Sequence, residues 1–153
     1  MVAYTDTVGF DKGSASSRAA TNNRTYLQEV TLDFEAITAA RSAASLTALA
    51  TGDSLEVLHI PAKTLILAAG IDVTTADGTA STVDLGYTGG DVDAWIDGAD
   101  ANAVGSEVGL GTLSVTRVAT CYLHSADTLD LLMLTAPQDA SVMRIWAVMV
   151  DCS

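Results

Sequence analysis

The amino-acid sequence predicts a mainly β domain, a jelly-roll-like β-sandwich of about eight strands. Apolar and polar residues alternate along several short segments, as expected for strands with one buried face. Gly, Asp and Ser residues that favour turns separate these segments. No motif recurs at a fixed period, which argues against a solenoid or a propeller. A length of 153 residues with a hydrophobic fraction of 49% is sufficient for one hydrophobic core.

The first 25 residues differ in composition from the rest of the chain. Small and polar residues between Asp11 and Arg24 follow neither a helical nor a strand period. Three of the seven basic residues, Lys12, Arg18 and Arg24, lie in this segment. We therefore expect residues 1–25 to form a flexible or extended arm, which is either a loose terminus or a segment that orders on a partner. Residues 26–153 are expected to form a single β-sandwich domain.

The elements of this domain can be predicted in chain order. After a strand over residues 26–34, an Ala-rich segment with apolar residues three and four apart predicts one short helix over residues 36–46, ended by Gly52 and Asp53. Further strands are predicted over residues 54–60, 64–75, 79–87, 92–96, 108–119, 120–124, 128–134 and 142–150.

Two local patterns make finer predictions. In the 64–75 strand, alternation places five apolar residues on one face: Leu65, Leu67, Ala69, Ile71 and Val73. Asp77 and Gly78 favour a tight hairpin turn, since Gly tolerates positive φ. Asp72 and Asp130 alternate with apolar neighbours, so both are expected to mark solvent-facing positions.

The segment 142–150 is apolar on both faces except at Arg144. Such a strand belongs either in the middle of a sandwich or at a contact between subunits. We therefore predict a homo-oligomer, expected to be a trimer, with Arg144, Trp146 and Met149 at its interface.

The charge of the chain narrows the classes of partner. Seven basic and nineteen acidic residues give a net charge of -12 and a pI near 4.1. This balance argues against binding to nucleic acid or to an anionic membrane, because both require clustered Lys or Arg. Two cysteines, Cys121 and Cys152, are too few for a disulfide framework, and we expect the chain to fold in a reducing cytoplasm.

No segment has the pattern of a known catalytic or cofactor site. The sequence contains neither a phosphate-binding loop nor a nucleophile elbow, and His59 and His124 have no partner at metal-ligand spacing. Cys121 and His124 are expected on opposite faces of a strand. We expect no catalytic residue, no cofactor and no enzymatic activity; carboxylates that the fold brings together are the remaining route to catalysis.

Four carboxylates lie within ten residues of a Gly-containing segment, and they are the candidate ligands for a calcium ion: Asp91, Asp93, Asp97 and Asp100. Their spacing does not match a helix-loop-helix calcium site. The preferred alternative is an exposed loop rich in turns, with Trp95 and Ile96 packed beneath it. We therefore predict no metal site.

The sequence contains the segments LEVLHIPA at residues 55–62, ASTVDLG at 80–86, DAWIDG at 93–98 and VMRIWAVMVD at 142–151. These segments resemble small virion proteins of tailed bacteriophages, and the resemblance extends from about residue 26 onward. This resemblance implies a capsid decoration or cement protein of jelly-roll type. Such a protein would be made in the host cytoplasm and located on the outer capsid surface, with the major capsid protein as its partner.

The alternative function is a small carbohydrate- or calcium-binding β-module of a phage fibre or host-recognition structure. Sugar sites use exposed aromatic side chains, and the chain has only two Trp, four Tyr and two Phe residues. Bound calcium would favour this alternative, whereas co-purification with capsids would favour the decoration protein.

Overall fold

The computed structural model describes Ala3–Tyr4 and residues 24–87, 90–110 and 121–152. Within these residues one helix is formed, α1 (Phe34–Ala43). The strands are β1 (Ala3–Tyr4), β2 (Thr25–Asp33), β3 (Ser54–Ile60), β4 (Thr64–Thr75), β5 (Thr82–Gly86), β6 (Ile96–Asp100), β7 (Gly105–Leu110), β8 (Tyr122–Leu123), β9 (Asp127–Met133) and β10 (Val142–Asp151).

The strands form two sheets, which confirms the predicted all-β, jelly-roll-like sandwich. The first, called here the β9 sheet, has the order β1-β3-β9-β5-β6. The second, called the β10 sheet, has the order β2-β10-β4-β7, and β8 also pairs with β4. β10 is antiparallel to both β2 and β4, and only the β1–β3 pair is parallel among the described strands.

The hydrophobic core lies between the two sheets. Alternate residues of β10 and β9 have no exposed surface: Met143, Ile145, Ala147, Met149, Leu129, Leu131 and Met133. Burial of each large apolar side chain stabilises the fold by about 1.5–3 kcal/mol. The alternate apolar residues of these strands therefore contribute directly to the stability of the sandwich.

The helix begins earlier and ends earlier than predicted. The Asp33 carboxylate caps its first turn by accepting a hydrogen bond from the Ala36 amide at 3.0 Å. Phe34 and Ile37 are buried, so this face of the helix packs onto the core. The helix ends at Ala43, and Ser45 adopts φ of 58°, which is incompatible with another helical turn. Gly52, which was expected to end the helix, instead donates its amide proton to the Met133 carbonyl beside β9.

A β-bulge overturns the prediction that five residues of β4 share one face. The register changes from Ala68 opposite Val148 to Ile66 opposite Met149, which leaves Leu67 as the extra residue. Ile66 therefore faces the core together with Ala69, whereas Leu67 is 42% exposed. A bulge shifts the alternation of buried and exposed side chains by one residue. The apolar pattern of the sequence does not show at which residue this shift occurs.

The predicted hairpin at Asp77 and Gly78 is wrong. Gly78 does adopt φ of 82°, but β4 belongs to the β10 sheet and β5 to the β9 sheet. The turn therefore carries the chain from one sheet to the other. The Asp77 carboxylate is buried there and accepts hydrogen bonds from the amides of Asp139 and Ala140 at 2.9 and 3.0 Å.

Other differences concern the ends of strands. The strand predicted over residues 79–87 is shorter, and residues 92–95 form turns before β6 instead of a strand. β7 begins three residues before the predicted 108–119 strand, and residues 111–119 lie outside the described part of the chain. Within the expected arm, Ala3–Tyr4 pairs with β3 as an edge strand.

Candidate interaction surfaces

The outer face of the β10 sheet carries apolar residues on all four strands of its main path. Val148 on β10 pairs with Leu27 on β2 and with Ala68 on β4, and Ala68 pairs with Leu110 on β7. Leu27 is 58% exposed and Leu110 is 68% exposed. Since strands pair side by side, these four residues form one continuous apolar row across the sheet.

A second row follows one step along the strands. It contains Glu29, Trp146, Gly70 and Val108, in that order across the sheet. The indole of Trp146 lies across Gly70, and a Cβ atom at position 70 would overlap the ring. Gly70 therefore allows the indole to lie flat on the sheet, and Val108, which is 52% exposed, extends the apolar surface to its edge.

The third row is charged. Arg144 pairs with Thr31 and Asp72, and Asp72 pairs with Ser106. The Arg144 Nε donates to the Asp72 carboxylate at 2.8 Å, and the Arg144 Nη1 lies 3.5 Å from the Glu29 carboxylate. One cation therefore contacts two carboxylates on this face and offsets the charge of one of them.

The pKa of Asp72 reflects these contacts. Burial acts to raise the pKa of this carboxyl group. Hydrogen bonds from Ser106, Arg144 and Trp146, together with the positive charge of Arg144, outweigh that effect and hold the pKa of Asp72 below its usual value. The same ion pair raises the pKa of Arg144.

The predicted oligomer-interface residues do not lie on one surface. Arg144 is exposed and Trp146 is half-buried on the outer face, but Met149 has no exposed surface and belongs to the core. An offset of three along a strand reverses the side-chain direction, so Met149 cannot join Trp146 in one contact. Sequence reasoning missed Leu27, Val108 and Leu110. The sequence does indicate Leu27, because it is the one apolar residue on the otherwise polar face of the strand predicted over residues 26–34.

Part of the outer face of the β9 sheet is covered by the chain itself. After Gly86 the chain folds back, and a Cβ atom at position 86 would overlap the backbone of Asp91 and Val92. The Trp95 amide donates to the Leu85 carbonyl, and the Trp95 indole donates to the Tyr87 hydroxyl at 3.0 Å. The described residues of this segment, Tyr87 and residues 90–95, are called here the covering loop.

The covering loop explains the burial of residues beneath it. Tyr87 and Val92 line the same small pocket as Asp130 and Leu132 of β9. Leu132 is only 6% exposed and Asp130 only 4%. The prediction that Asp130 faces solvent is therefore wrong, because a loop from a distant part of the sequence covers that face. Asp72, by contrast, does lie on an outer face.

The four candidate calcium ligands are all exposed. The Asp100 carboxylate accepts a hydrogen bond from the Asn102 amide at 2.9 Å, which is a local turn. Among the described residues, no group of three or more His, Cys, Asp or Glu side chains is close enough to hold a metal ion. As expected, Trp95 and Ile96 are buried, although Ile96–Asp100 is a strand and not a loop.

The buried carboxylate of this region is Asp84, which the sequence analysis did not select. Its side chain accepts a hydrogen bond from the Gly98 amide at 2.7 Å. Burial raises the pKa of Asp84, and the negative charges of Asp97 and Asp93 raise it further, against the lowering effect of the Gly98 hydrogen bond. Asp84 thus marks an excess of negative charge at the β6 edge of the β9 sheet.

The cysteines, the histidines and the basic residues of the first 25 positions differ in burial and in their contacts. Cys121 is buried, Cys152 is half-buried, and both are free thiols. His59 and His124 are exposed, and the His124 ring packs edge-on against Tyr122 at 4.6 Å. Arg24 is exposed at the start of β2, whereas Lys12 and Arg18 lie outside the described residues. The described part of the chain contains no helix long and apolar enough to cross a membrane.

The fold matches chains in solved bacteriophage capsid structures. A chain of the acid-stable capsid of Helicobacter pylori bacteriophage KHP30 is 8% identical, with a TM-score of 0.57 over 87% of this chain and 92% of that one. A chain of the cyanophage Pam1 capsid is 14% identical, with a TM-score of 0.57 over 91% and 92%. A chain of the Ralstonia phage GP4 capsid is 15% identical, with a TM-score of 0.55 over 92% and 91%. No protein-family model matches the sequence, and no curated protein matches it.

Proposed function

We propose that this chain is a virion structural protein, and specifically a decoration or cement protein on the outer surface of a phage head. The observation that carries the proposal is the shared fold with capsid chains of three phages, which extends over nearly the full length of both partners in each comparison. The similarity in each comparison therefore includes most of the two-sheet fold.

The mechanism is stabilisation by preferential binding. A protein that binds only the assembled shell shifts the equilibrium toward that shell by mass action. The major capsid protein is the partner, and the chain binds it as a homo-oligomer, expected to be a trimer. This role requires rigid surfaces and no chemical step, so we assign no catalytic residue and no cofactor.

Charge suggests how the chain is oriented. With a net charge of -12, most of its surface is best turned toward solvent, where salt screens repulsion within about 10 Å at ~0.1 M. The basic residues Lys12, Arg18 and Arg24 are then available for an acidic surface of the major capsid protein. Arg24 is exposed next to β2, in agreement with this assignment.

The test is to add the purified protein to capsids that lack it. Binding should be saturable, and decorated capsids should withstand higher temperature and lower salt than bare ones. Capsids that do not bind the protein, or that gain no resistance when saturated, would contradict the proposal.

Single charge reversals locate the contact. Arg24→Glu should weaken capsid binding by roughly tenfold, which corresponds to the loss of about 1.4 kcal/mol. Thr79→Glu is the control, because Thr79 is exposed beyond the opposite end of β4 and the substitution also adds negative charge. Combined reversal of Lys12, Arg18 and Arg24 should weaken binding further. Equal effects at Arg24 and Thr79 would show that only total charge matters.

A further inference from the structure

The outer face of the β10 sheet combines two features that a soluble monomer seldom shows together. Apolar side chains occupy successive rows, with the largest exposed ones at both edges, Leu27 on β2 and Val108 and Leu110 on β7. The charged side chains of the second and third rows, Glu29, Arg144 and Asp72, contact one another, so part of their charge is offset within the face. Contiguous exposed apolar surface of this kind marks an interaction site.

The area of the face is large enough for a specific contact. Nine residues of β2 at about 3.4 Å each and four strands about 4.8 Å apart span roughly 30 by 19 Å. This is on the order of 600 Å² per copy, or 1,200 Å² in total when an equal area of a neighbouring copy covers it, which is the lower limit for stable protein interfaces.

Net charge determines where two copies can approach each other. Each copy carries a charge of -12, so a contact through any strongly acidic surface is opposed by repulsion. The covering-loop side carries the exposed Asp91, Asp93 and Asp97. On the outer face of the β10 sheet, by contrast, Arg144 contacts both Asp72 and Glu29 and offsets part of their charge, and the row that contains Leu27 has no charged residue.

We infer that the outer face of the β10 sheet is the contact between copies of this chain, and that it forms in solution before any capsid is bound. Leu27, Val148, Trp146 and Val108 form the apolar part of this contact, and the Arg144–Asp72 pair lies beside them. Apolar burial therefore drives the association, and added salt strengthens it by screening the repulsion between acidic copies. The inference deepens the proposed function by assigning the surface through which the oligomer forms.

The experiment is sedimentation equilibrium of the purified chain without capsids, from about 1 to 100 μM, at low and high salt. A mass that is a multiple of 15.7 kDa, and that persists or rises with salt, is expected. Leu27→Glu and Val108→Glu should each raise the dissociation constant by roughly tenfold or more, since each places a charge in the contact.

The matched control is Leu134→Glu, because Leu134 is 42% exposed and lies beyond β9 in the other sheet. It should leave the mass unchanged. Circular dichroism melting confirms that each variant is folded. A monomeric wild type at 100 μM, or equal loss of association in all three variants, would overturn the inference.

Capsid binding separates this inference from the proposed function. If the wild type is monomeric while Val108→Glu abolishes capsid binding, the face contacts the capsid protein and the inference is wrong, although the proposed function stands. If the chain associates through this face but does not bind capsids, the inference stands and the proposed function fails.

Discussion

The two sheets of the sandwich differ in what lies on their outer faces. In the β9 sheet all of residues 129–133 are buried, because the covering loop lies over one side of the strand and the core over the other. In β10, inward residues are buried while outward residues remain half-buried or exposed. A strand that is apolar on both faces can thus have its outward face covered in two ways. In the β9 sheet a loop of the same chain covers it, and in the β10 sheet the proposed cover is a partner.

The largest expected difference between the two sheets is in the loss of unfolding free energy when an outward leucine of each is replaced by alanine. Leu132→Ala removes a side chain enclosed beneath the covering loop and should destabilise the fold by about 2–4 kcal/mol. Leu27→Ala, on the open face, should change the free energy of unfolding by no more than about 0.5 kcal/mol in dilute solution. Thermal melting at sub-micromolar concentration measures both, and similar values would mean that the two outer faces do not differ.

Two glycines test how closely each outer face is packed. Gly86→Ala places a methyl group against the backbone of the covering loop and should cost about 1–3 kcal/mol, since backbone cannot move aside cheaply. Gly70→Ala meets only the Trp146 side chain, so it should cost less and instead change the tryptophan fluorescence. Gly90→Ala is the control, because its Cβ would lie an ordinary 3.6 Å from Tyr87. If Gly70→Ala destabilises as much as Gly86→Ala, the indole is held rigidly on the sheet.

The carboxylates of the two sheets should respond oppositely to pH. The lowered pKa of Asp72 means that its contacts stabilise the fold above the unfolded pKa near 3.9, and that this stability is lost as the pH falls through the folded pKa. Asp72→Asn should therefore lower the melting temperature by at most a few degrees at pH 7 and have no effect in strong acid.

Asp84 has the opposite sign. Its raised pKa means that the folded state binds its proton more tightly, so stability falls as the pH rises from about 4 through the folded pKa. Asp84→Asn, which keeps an oxygen acceptor for the Gly98 amide, should match or exceed the wild-type melting temperature at pH 7. This advantage should disappear as the pH falls below about 4. A clear loss of stability at pH 7 would show that the negative charge is needed.

The smallest expected effect is that of a chelator. Because no metal contributes to the proposed role, EDTA should change the melting temperature by less than about 1 °C and should not release the protein from capsids. Calcium added back provides the control. A fall of several degrees, reversed by calcium, would identify the acidic residues near β6 as a metal site and favour the calcium-binding alternative.

The alternation of apolar and polar residues predicts the bounds of several strands better than it predicts which of their side chains are buried. The bounds of β3 and β4 follow from alternation ended by Pro61 and by turn residues, and those of β10 from its apolar run. The outward exposure of Leu67, the burial of Asp130 and the position of the indole on Gly70 could not be predicted in this way. Each depends on a bulge, a loop or a neighbouring strand that is remote in sequence.

The same limit applies to the candidate interaction surface. The apolar residues on both sides of β10 predict an interface at Arg144 and Trp146, but the strand register is needed to place Leu27 and Val108 beside them. The same pattern predicts Met149 at the interface, whereas Met149 lies in the core. A single strand shows that two faces are apolar, and only pairing with its neighbours shows which face is enclosed.

The position of β10 has a consequence for biosynthesis. β2 and β4 do not pair with each other; both pair with residues 142–151, so Leu32 meets Met143 only after more than a hundred intervening residues have been translated. Until the ribosome has released this segment, both strands keep an unpaired edge that can bind other nascent chains. Closure of the sheet is therefore a late, long-range event, and the face that presents Trp146 is displayed only by chains in which translation has passed this point.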